Sequence, residues 1–325
     1  MRKNDNNMNI EGKIYQFDLE VKEVKNEKSK NFGKSYITGT IDVATDESLS
    51  NIVQVHYSYV APEYSSGKTN TSYTAMEKII NSGKTVVTDG YAEATCIRLN
   101  PSYMTNDFYP QGQEQVVSAP KNEGGFVTLV TPDKMRPEGD SGRNKFTFDI
   151  VISNVAEKVP DEGDSYAAIE GIVFNYNNTA IYPVTLTARN KDAMKYFLDL
   201  GASKSNPVYT KVWGKIVNIF TTTEKTIESA FGEAAVETVT HRKREYVITG
   251  ANPVPYEFDT AETITADELK KALQDREVYL ADEKKRVEEY RASQSNGNGA
   301  SPAAQAQAAS AVARASAVKN GDFNW

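Results

Sequence analysis

Segments in which apolar and polar residues alternate recur from about Ile10 to Gly250. Alternation with a period of two residues is typical of β-strands that bury one face. Clusters of Gly, Pro, Asn and Asp separate these segments and predict turns between them. The predicted strands are Lys13–Val24, Ser35–Ala44, Asn51–Ala61, Thr85–Arg98, Gly125–Thr131, Lys145–Val155, Tyr166–Tyr176, Ala180–Asn190, Pro207–Phe220 and Ala235–Gly250.

Three segments instead predict helices. Two are short, Tyr73–Ser82 and Asp192–Leu200. The third begins at a capping box formed by Thr265 and Glu268 and runs to about Arg291. Its apolar stripe is too thin for a coiled coil, so we expect it to dock onto a barrel. The stripe comprises Leu269, Leu273, Leu280 and Val287.

The order of the elements indicates two divergent copies of one unit. In each copy a Gly-bearing strand (Gly39 or Gly171) and an apolar strand precede a helix, and two strands follow it. This order resembles a small Greek-key barrel such as the OB-fold. We therefore predict a mainly β protein with two OB-fold-like Greek-key β-barrels, followed by a C-terminal helix and a disordered tail. The expected divisions are a flexible leader (1–8), two barrels (9–160 and 161–259), a charged helix (260–292), and a disordered linker with an aromatic tip (293–325).

Tyrosine is unusually frequent in the chain, with 18 Tyr against 12 Phe and 2 Trp. Tyrosine is common on wet β surfaces and stacking platforms, but it also simply favours strands. The formal net charge is −7. An acidic balance argues against a double-strand binder that relies on bulk electrostatics. Any nucleic-acid binding must therefore depend on local faces and on stacking.

Catalytic and metal-binding patterns are missing from the sequence. The single cysteine, Cys96, lies among small residues and is expected in the core, while His56 and His241 fall in different copies. Neither a catalytic triad nor a metal-ligand spacing emerges, and there is no phosphate-binding loop. We predict a protein that is not an enzyme and needs no cofactor or metal. The polar N-terminus and the lack of a long apolar run predict a cytoplasmic protein without a membrane partner.

One predicted strand, Val208–Val217, carries a pattern suited to single-stranded nucleic acid. Residues two apart share a face, so an aromatic and cationic face lies opposite the apolar one. Rings that stack on bases and ammonium groups that meet phosphates are what single strands require. The alternative is that a helix or partner domain packs on this face. The face comprises Tyr209, Lys211, Trp213 and Lys215.

Further candidates lie on other strands. Arg242, Arg244 and Tyr246 share one face of the last strand, with Lys243 on the other. In the first copy, Tyr57 and Tyr59 share a face with Val53 and Val55, which predicts that both tyrosines are core residues. The candidates for single-stranded DNA binding in the first copy are Tyr36, Tyr91 and Arg98.

Three stretches of the second copy resemble bacteriophage single-stranded DNA-binding proteins. They are Val212-Trp213-Gly214-Lys215-Ile216-Val217, Ser229-Ala230-Phe231-Gly232-Glu233 and Arg244-Glu245-Tyr246-Val247-Ile248-Thr249-Gly250. The detailed resemblance covers about residues 166–260, and the layout of barrels, acidic helix, linker and tip covers the whole chain. It implies a protein that coats and protects single-stranded DNA in phage replication or recombination, in the cytoplasm of the bacterial host.

The tip resembles the acidic, hydrophobic tip with which bacterial single-stranded DNA-binding proteins recruit replication and repair proteins. It holds Asp322, Phe323 and Trp325, but it has one acidic side chain instead of several and lacks proline. Phe323 and Trp325 are two residues apart, so an extended peptide projects both rings to one side. The implied partners are single-stranded DNA and replication or recombination proteins. The alternative function is a phage virion or tail protein built from β-sandwich domains.

Overall fold

The computed structural model describes residues 4–160, 164–175, 178–227, 235–260 and 262–295, except the side chains of residues 219–243 and 294–295. The strands are β1 (Asn6–Glu23), β2 (Ser35–Ala44), β3 (Ile52–Val60), β4 (Cys96–Phe108), β5 (Val117–Leu129), β6 (Asn144–Lys158), β7 (Tyr166–Phe174), β8 (Ile181–Ala188), β9 (Val208–Ile227) and β10 (Ala235–Ala251). The helices are α1 (Thr71–Ser82), α2 (Val86–Asp89), α3 (Lys191–Asp199) and α4 (Ala266–Ser295), with a 3-10 turn at Pro132–Lys134.

The first five strands close into a ring in the order β1-β2-β3-β5-β4-β1. β1 and β2 are antiparallel from Lys13 opposite Ala44 to Glu23 opposite Ser35. β3 and β5 are parallel where His56 lies opposite Glu123. Helix α1 connects β3 to β4. A five-stranded Greek-key barrel in this order is the OB-fold that the sequence predicts.

The second ring repeats this order with β6-β7-β8-β10-β9-β6, and α3 connects β8 to β9. β8 and β10 are again parallel, at Thr187 opposite Val247. The predicted fold class is therefore confirmed for both barrels. The expected division at residue 160 is wrong, because β6 pairs with β7 and β9 and so opens the second barrel. Alternation identifies β6 as a strand, but it carries no information on which ring the strand closes.

The two barrels share an antiparallel pairing of β1 with β6, from Asn6 opposite Phe148 to Ile10 opposite Asn144. Asn6 is buried at this junction. Its side-chain nitrogen donates to the carbonyl oxygens of Tyr103 (2.9 Å) and Phe174 (3.0 Å), which belong to different barrels. Residues 1–8 were expected to form a loose leader. For the described residues 4–8 this is wrong, because asparagine side chains supply hydrogen bonds that hold the segment in the interior.

The segment predicted as the strand Thr85–Arg98 begins differently. The Thr85 hydroxyl accepts from the Thr88 amide (3.1 Å), and the Asp89 carboxylate accepts from the Thr85 amide (3.0 Å). This reciprocal cap stabilises the single helical turn of α2, and Gly90 leaves it at φ 81°. The strand β4 starts only at Cys96, whose side chain is buried as expected.

Contacts divide the chain into two compact units. The first comprises Met1–Thr105, Pro120–Asn218 and Glu245–Leu269, and the second comprises Asn106–Ala119, Ile219–Arg244 and Lys270–Trp325. Within the first unit, the capping box forms as predicted: the Thr265 amide donates to Glu268 (2.8 Å) and the Glu268 amide to the Thr265 hydroxyl (3.0 Å).

Within the second unit, α4 packs against the ends of β4 and β5 through polar contacts. Arg276 donates to the Asp107 carboxylate at 2.9 Å, and both side chains are largely buried. Farther along the helix, the Tyr109 hydroxyl donates to the Leu280 carbonyl oxygen at 2.9 Å. A buried ion pair therefore anchors the helix in this unit, whereas Leu273 of the predicted apolar stripe is 44% exposed.

Candidate nucleic-acid interface

Two tyrosines of the first barrel stack on each other at its surface. Tyr36 lies at the start of β2 and Tyr59 near the end of β3, with ring centroids 4.8 Å apart and planes inclined by 28°. Tyr59 is 45% exposed. Both rings line a surface depression of about 750 Å³ whose other wall is the segment 21–26. A base fits against such a ring pair, because every base offers a π-face for stacking.

The exposure of Tyr59 corrects the expectation that it is a core residue. Tyr57 is buried as expected, at 1% exposure. Between these tyrosines the pairing of β2 with β3 shifts, since Ile37 lies opposite Val60 but Gly39 lies opposite Tyr57. The extra residue in β3 is a β-bulge, and it moves the following side chains to the other face. Tyr59 therefore points outward, although simple alternation places it inward.

The loop between β1 and β2 makes this surface locally basic. Residues 24–34 carry Lys25, Lys28, Lys30 and Lys34 against the single acidic residue Glu27. The loop is closed by hydrogen bonds of 3.0 Å between Val24 and its neighbours Gly33 and Lys34. This loop was not predicted as part of a site, although its cluster of lysines is a signal that could have identified it.

Acidic side chains lie on the side of the tyrosine pair that is away from the lysine loop. On β1, Glu20 is opposite Thr38 and Asp18 is opposite Thr40. Glu20 binds Lys22 at 2.8 Å, and this hydrogen bond raises the pKa of the Lys22 ammonium. A phosphate chain is repelled by Asp18 and attracted by the lysine loop. The loop side of the rings is therefore the side whose charges attract a phosphate backbone.

The predicted face of β9 is only partly open. From Val212 to Ile216 the alternation of buried and outward-facing residues is as predicted, since Val212, Gly214 and Ile216 are buried. Tyr209, however, is 1% exposed, and its hydroxyl donates to the Asn4 side chain. The Tyr256 and Phe258 rings pack on it at centroid distances of 4.9 and 5.7 Å. Tyr209 is thus corrected to a buried residue, because Asn4 and the segment that follows β10 cover it.

Lys211 is also engaged inside the protein. Its ammonium binds the Asp5 carboxylate and lies 3.7 Å from the buried carboxylate of Asp149. Burial lowers the pKa of this lysine, but the hydrogen bond to Asp5 and the charge of Asp149 outweigh burial and raise it overall. The assignment of Lys211 as a phosphate contact is corrected accordingly.

Trp213 and Lys215 keep the surface position that the sequence predicts. Lys215 is exposed, and Trp213 is half-buried. The indole lies against the backbone of Gly250, where an added Cβ would come within 2.5 Å of its ring. A glycine at this position lets the ring lie flat on the strand.

The residues of β10 that were predicted to contact DNA differ in how far they are buried. Tyr246 is 3% exposed and its hydroxyl donates to Asn122 at 2.8 Å, so its assignment as a stacking residue is corrected. Arg244 is partly buried, and its Nε has no hydrogen-bond partner among the described residues. The side chains of Arg242 and Lys243 lie outside the described part of the structure.

Tyr91 and Arg98 belong to an ionic cluster around the buried carboxylate of Glu11. The Glu11 carboxylate accepts from Arg98 Nε (2.9 Å) and from Arg136 Nη1 (2.6 Å), and its side chain is fully buried. The Tyr91 hydroxyl accepts from Arg143 at 3.2 Å, and burial raises the pKa of that hydroxyl. Both residues are therefore corrected from DNA contacts to parts of the framework.

The remaining assignments concern the tip and other ligands. Asp322, Phe323 and Trp325 lie outside the described residues. Within the described ranges, no group of three or more His, Cys, Asp or Glu residues is placed to hold a metal ion. In the same part of the chain, none of the helices combines the length and the apolar character needed to cross a membrane.

Comparisons with known proteins give a family and a distant similarity in structure. A protein-family model described as YorF matches residues 4–286. No curated protein matches the chain. A deletion mutant of the single-stranded DNA binding protein from Thermus aquaticus is 11% identical, with a TM-score of 0.45, covering 81% of this chain and 100% of that one. The wild-type protein is 9% identical, with a TM-score of 0.44, covering 80% and 97%.

Proposed function

This chain belongs to the YorF family, and we propose that it binds single-stranded DNA through the surface that carries Tyr36 and Tyr59. The observation that supports this function best is the stacked tyrosine pair, with Tyr59 exposed, beside a lysine-rich loop. In OB-folds the second and third strands and the loop between the first and second strands form the oligonucleotide-binding surface. The pair and the loop occupy those elements of the first barrel.

The proposed chemistry is sequence-independent. Tyr59, the more exposed ring, stacks on a base, and Tyr36 supports it from below. The loop lysines neutralise phosphates. A net charge of −7 favours a single strand over a duplex, because a duplex presents a denser phosphate charge to the acidic remainder of the protein. Trp213 and Lys215 are further proposed contacts, on the second barrel. The proposal assigns no catalytic role to any residue.

The experiment is a fluorescence anisotropy titration with labelled oligo-dT of about 30 nucleotides, since one OB-fold covers about 4–16 nucleotides. We expect Tyr59→Ala and Tyr36→Ala each to weaken binding by about 5- to 150-fold, since one stacked base contributes about 1–3 kcal/mol. Tyr59→Phe keeps the ring and should bind like the wild type. Tyr290→Ala removes a 55% exposed tyrosine from α4 and serves as the control.

Two outcomes decide against this proposal. If Tyr59→Ala binds oligo-dT as tightly as the wild type, the tyrosine pair is not the contact surface. If the wild-type protein forms large homo-oligomers and does not bind oligo-dT at all, the rival function as a virion or tail protein is favoured instead.

We also propose a biological role: protection of single-stranded DNA in phage replication or recombination, in the cytoplasm of the host. In this role Asp322, Phe323 and Trp325 recruit a partner protein. The pattern of two large aromatic residues two apart, after a run of Ala, Ser, Gln and Asn, supports this idea. Deletion of residues 322–325 should leave oligo-dT affinity unchanged and abolish capture of replication proteins from infected cells. Loss of DNA affinity on deletion would instead place the tip in the DNA site.

A further inference from the structure

The second barrel holds a lysine, a tyrosine and an arginine side by side at the corner that corresponds to the tyrosine pair of the first. Tyr166 is the first residue of β7, and it lies opposite Lys158 of β6. Residues opposite each other in an antiparallel pair project to the same face. On the other side, the Arg189 guanidinium lies over the Tyr166 ring, 5.2 Å from its centroid. None of these three residues is part of the surface proposed above.

The arrangement matches the first barrel strand by strand. There Lys22 at the end of the first strand lies opposite Tyr36 at the start of the second. Tyr59 at the end of the third strand covers Tyr36. In the second barrel Lys158, Tyr166 and Arg189 hold the equivalent places at the end of β6, at the start of β7 and just after β8. Because the strand order of the two rings is the same, both trios lie at equivalent corners of their barrels.

The environment of Arg189 defines its role. Its guanidinium donates to the Glu245 carboxylate at 2.7 Å, and Glu245 is 6% exposed. This ion pair neutralises the positive charge and fixes the plane of the guanidinium over the ring. A fixed guanidinium plane stacks on bases as an aromatic ring does. Lys158, which is exposed, is the member of the trio that can meet a phosphate.

We propose that Lys158, Tyr166 and Arg189 form a second nucleotide-contact site, which binds another segment of the single strand held at Tyr36 and Tyr59. A base stacks on the arginine–tyrosine pair, and Lys158 contacts the phosphate beside it. This inference rests on the proposed function. It adds that both barrels engage one DNA strand through equivalent corners.

The junction between the barrels lets the two sites act together. The β1–β6 pairing and the buried side chain of Asn6 fix one barrel against the other within the first unit. A strand bound at one site is therefore presented to the second at a high effective concentration, provided that it is long enough to reach it.

The test uses the full chain, oligo-dT of about 30 nucleotides and the variants Tyr166→Ala and Lys158→Ala. We expect Tyr166→Ala to weaken binding by about 5- to 150-fold and Tyr166→Phe to bind like the wild type. Lys158→Ala should make the plot of log affinity against log salt less steep by about 0.7, the value for one phosphate contact on a single strand. Lys195→Ala removes an exposed cation from α3 and should leave the slope unchanged.

A second measurement excludes an effect of folding. Photo-cross-linking of 5-iodouracil oligonucleotides, followed by mass spectrometry, should attach DNA to Tyr166 as well as to the Tyr36–Tyr59 pair. If Tyr59→Ala weakens binding while Tyr166→Ala does not, and no cross-link forms at Tyr166, the second site is wrong and the proposed function stands. If neither variant weakens binding, the proposed function itself fails.

Discussion

The hydroxyl of Tyr246 in the second barrel donates a hydrogen bond of 2.8 Å to the side-chain oxygen of Asn122 in the first. Both residues are buried, and the Asn122 amide nitrogen donates in turn to the Gln54 carbonyl oxygen at 2.8 Å. The ring of Tyr246 packs edge-on against Tyr103 and Phe146. Tyr246 therefore joins the two barrels and does not face a ligand.

Tyr246→Phe should reduce the free energy of unfolding by about 1–2 kcal/mol, because the oxygen of Asn122 loses its donor in a buried place. Affinity for oligo-dT should stay unchanged. Urea denaturation and anisotropy titration measure the two quantities, with Tyr290→Phe on the exposed face of α4 as the control. Weakened DNA binding at unchanged stability would reinstate Tyr246 as a contact residue.

The carboxyl group of Glu11 makes the free energy of unfolding depend on pH in the acidic range. Burial raises the pKa of its carboxyl group, but hydrogen bonds and charges from Arg98 and Arg136 outweigh burial and lower it overall. The folded protein then releases this proton more readily than the unfolded chain, whose Glu titrates at about 4.3. The stabilisation is complete above that pH and is lost as the pH falls through the lower folded value.

Glu11→Gln should therefore reduce the free energy of unfolding at neutral pH by about 2 kcal/mol, since hydrogen bonds to a charged group are lost. It should also make the loss of stability as the pH falls below about 4.3 smaller than in the wild type. Urea denaturation over a pH series measures both. Glu288→Gln, at an exposed carboxylate of α4, is the matched control, and an equal effect of the two variants would contradict the role of Glu11.

Arg276 holds α4 within the second unit. Its guanidinium binds Asp107, and their side chains are 13% and 3% exposed. Arg276→Ala removes this ion pair from a buried carboxylate, and breaking a buried pair costs about 3 kcal/mol. Hydrogen exchange of α4 amides should accelerate strongly in this variant.

The control is Arg286→Ala, which breaks an exposed pair with Glu283 on the same helix. Exposed pairs contribute about 0.3–0.5 kcal/mol, so exchange should change little. Equal protection of α4 in the two variants would show that the buried pair does not hold the helix.

The lysine loop should dominate the salt dependence of binding. In the variant Lys28→Ala/Lys30→Ala, the plot of log affinity against log salt should become less steep by about 0.7 for each phosphate contact removed. Lys270→Ala/Lys271→Ala on α4 changes the net charge equally, and both lysines are exposed. If this control changes the slope as much as the loop variant does, overall charge and not the loop governs binding.

Much of the architecture follows from local patterns in the chain. Period-two alternation located most strands, and the Thr265–Glu268 capping box located the start of α4. The element order predicted both OB-fold-like barrels. One exception is Thr85–Asp89, where side-chain caps favour a helical turn over the strand that alternation predicts. The strand segments 99–108 of β4 and 117–124 of β5 were not predicted.

The residues of the candidate site were harder to predict from local sequence patterns. Tyr36 was predicted as a contact, but its partner Tyr59 was assigned to the core, because a bulge changes the parity of β3 without a local signal. Tyr209 points away from its own barrel's core as predicted, yet Asn4, Tyr256 and Phe258 cover it.

By itself, the sequence determined which segments are strands and which side chains share a face, because both depend on the fixed geometry of the extended backbone. Only the tertiary structure decided which outward faces meet solvent. Solvent exposure depends on contacts with segments that are distant in sequence. Asn4 lies beside Tyr209 and Asn122 beside Tyr246, and no local periodicity in the sequence indicates these contacts. The sequence predicted two barrels, and the fold left the Tyr36–Tyr59 surface open while it covered Tyr209 and Tyr246.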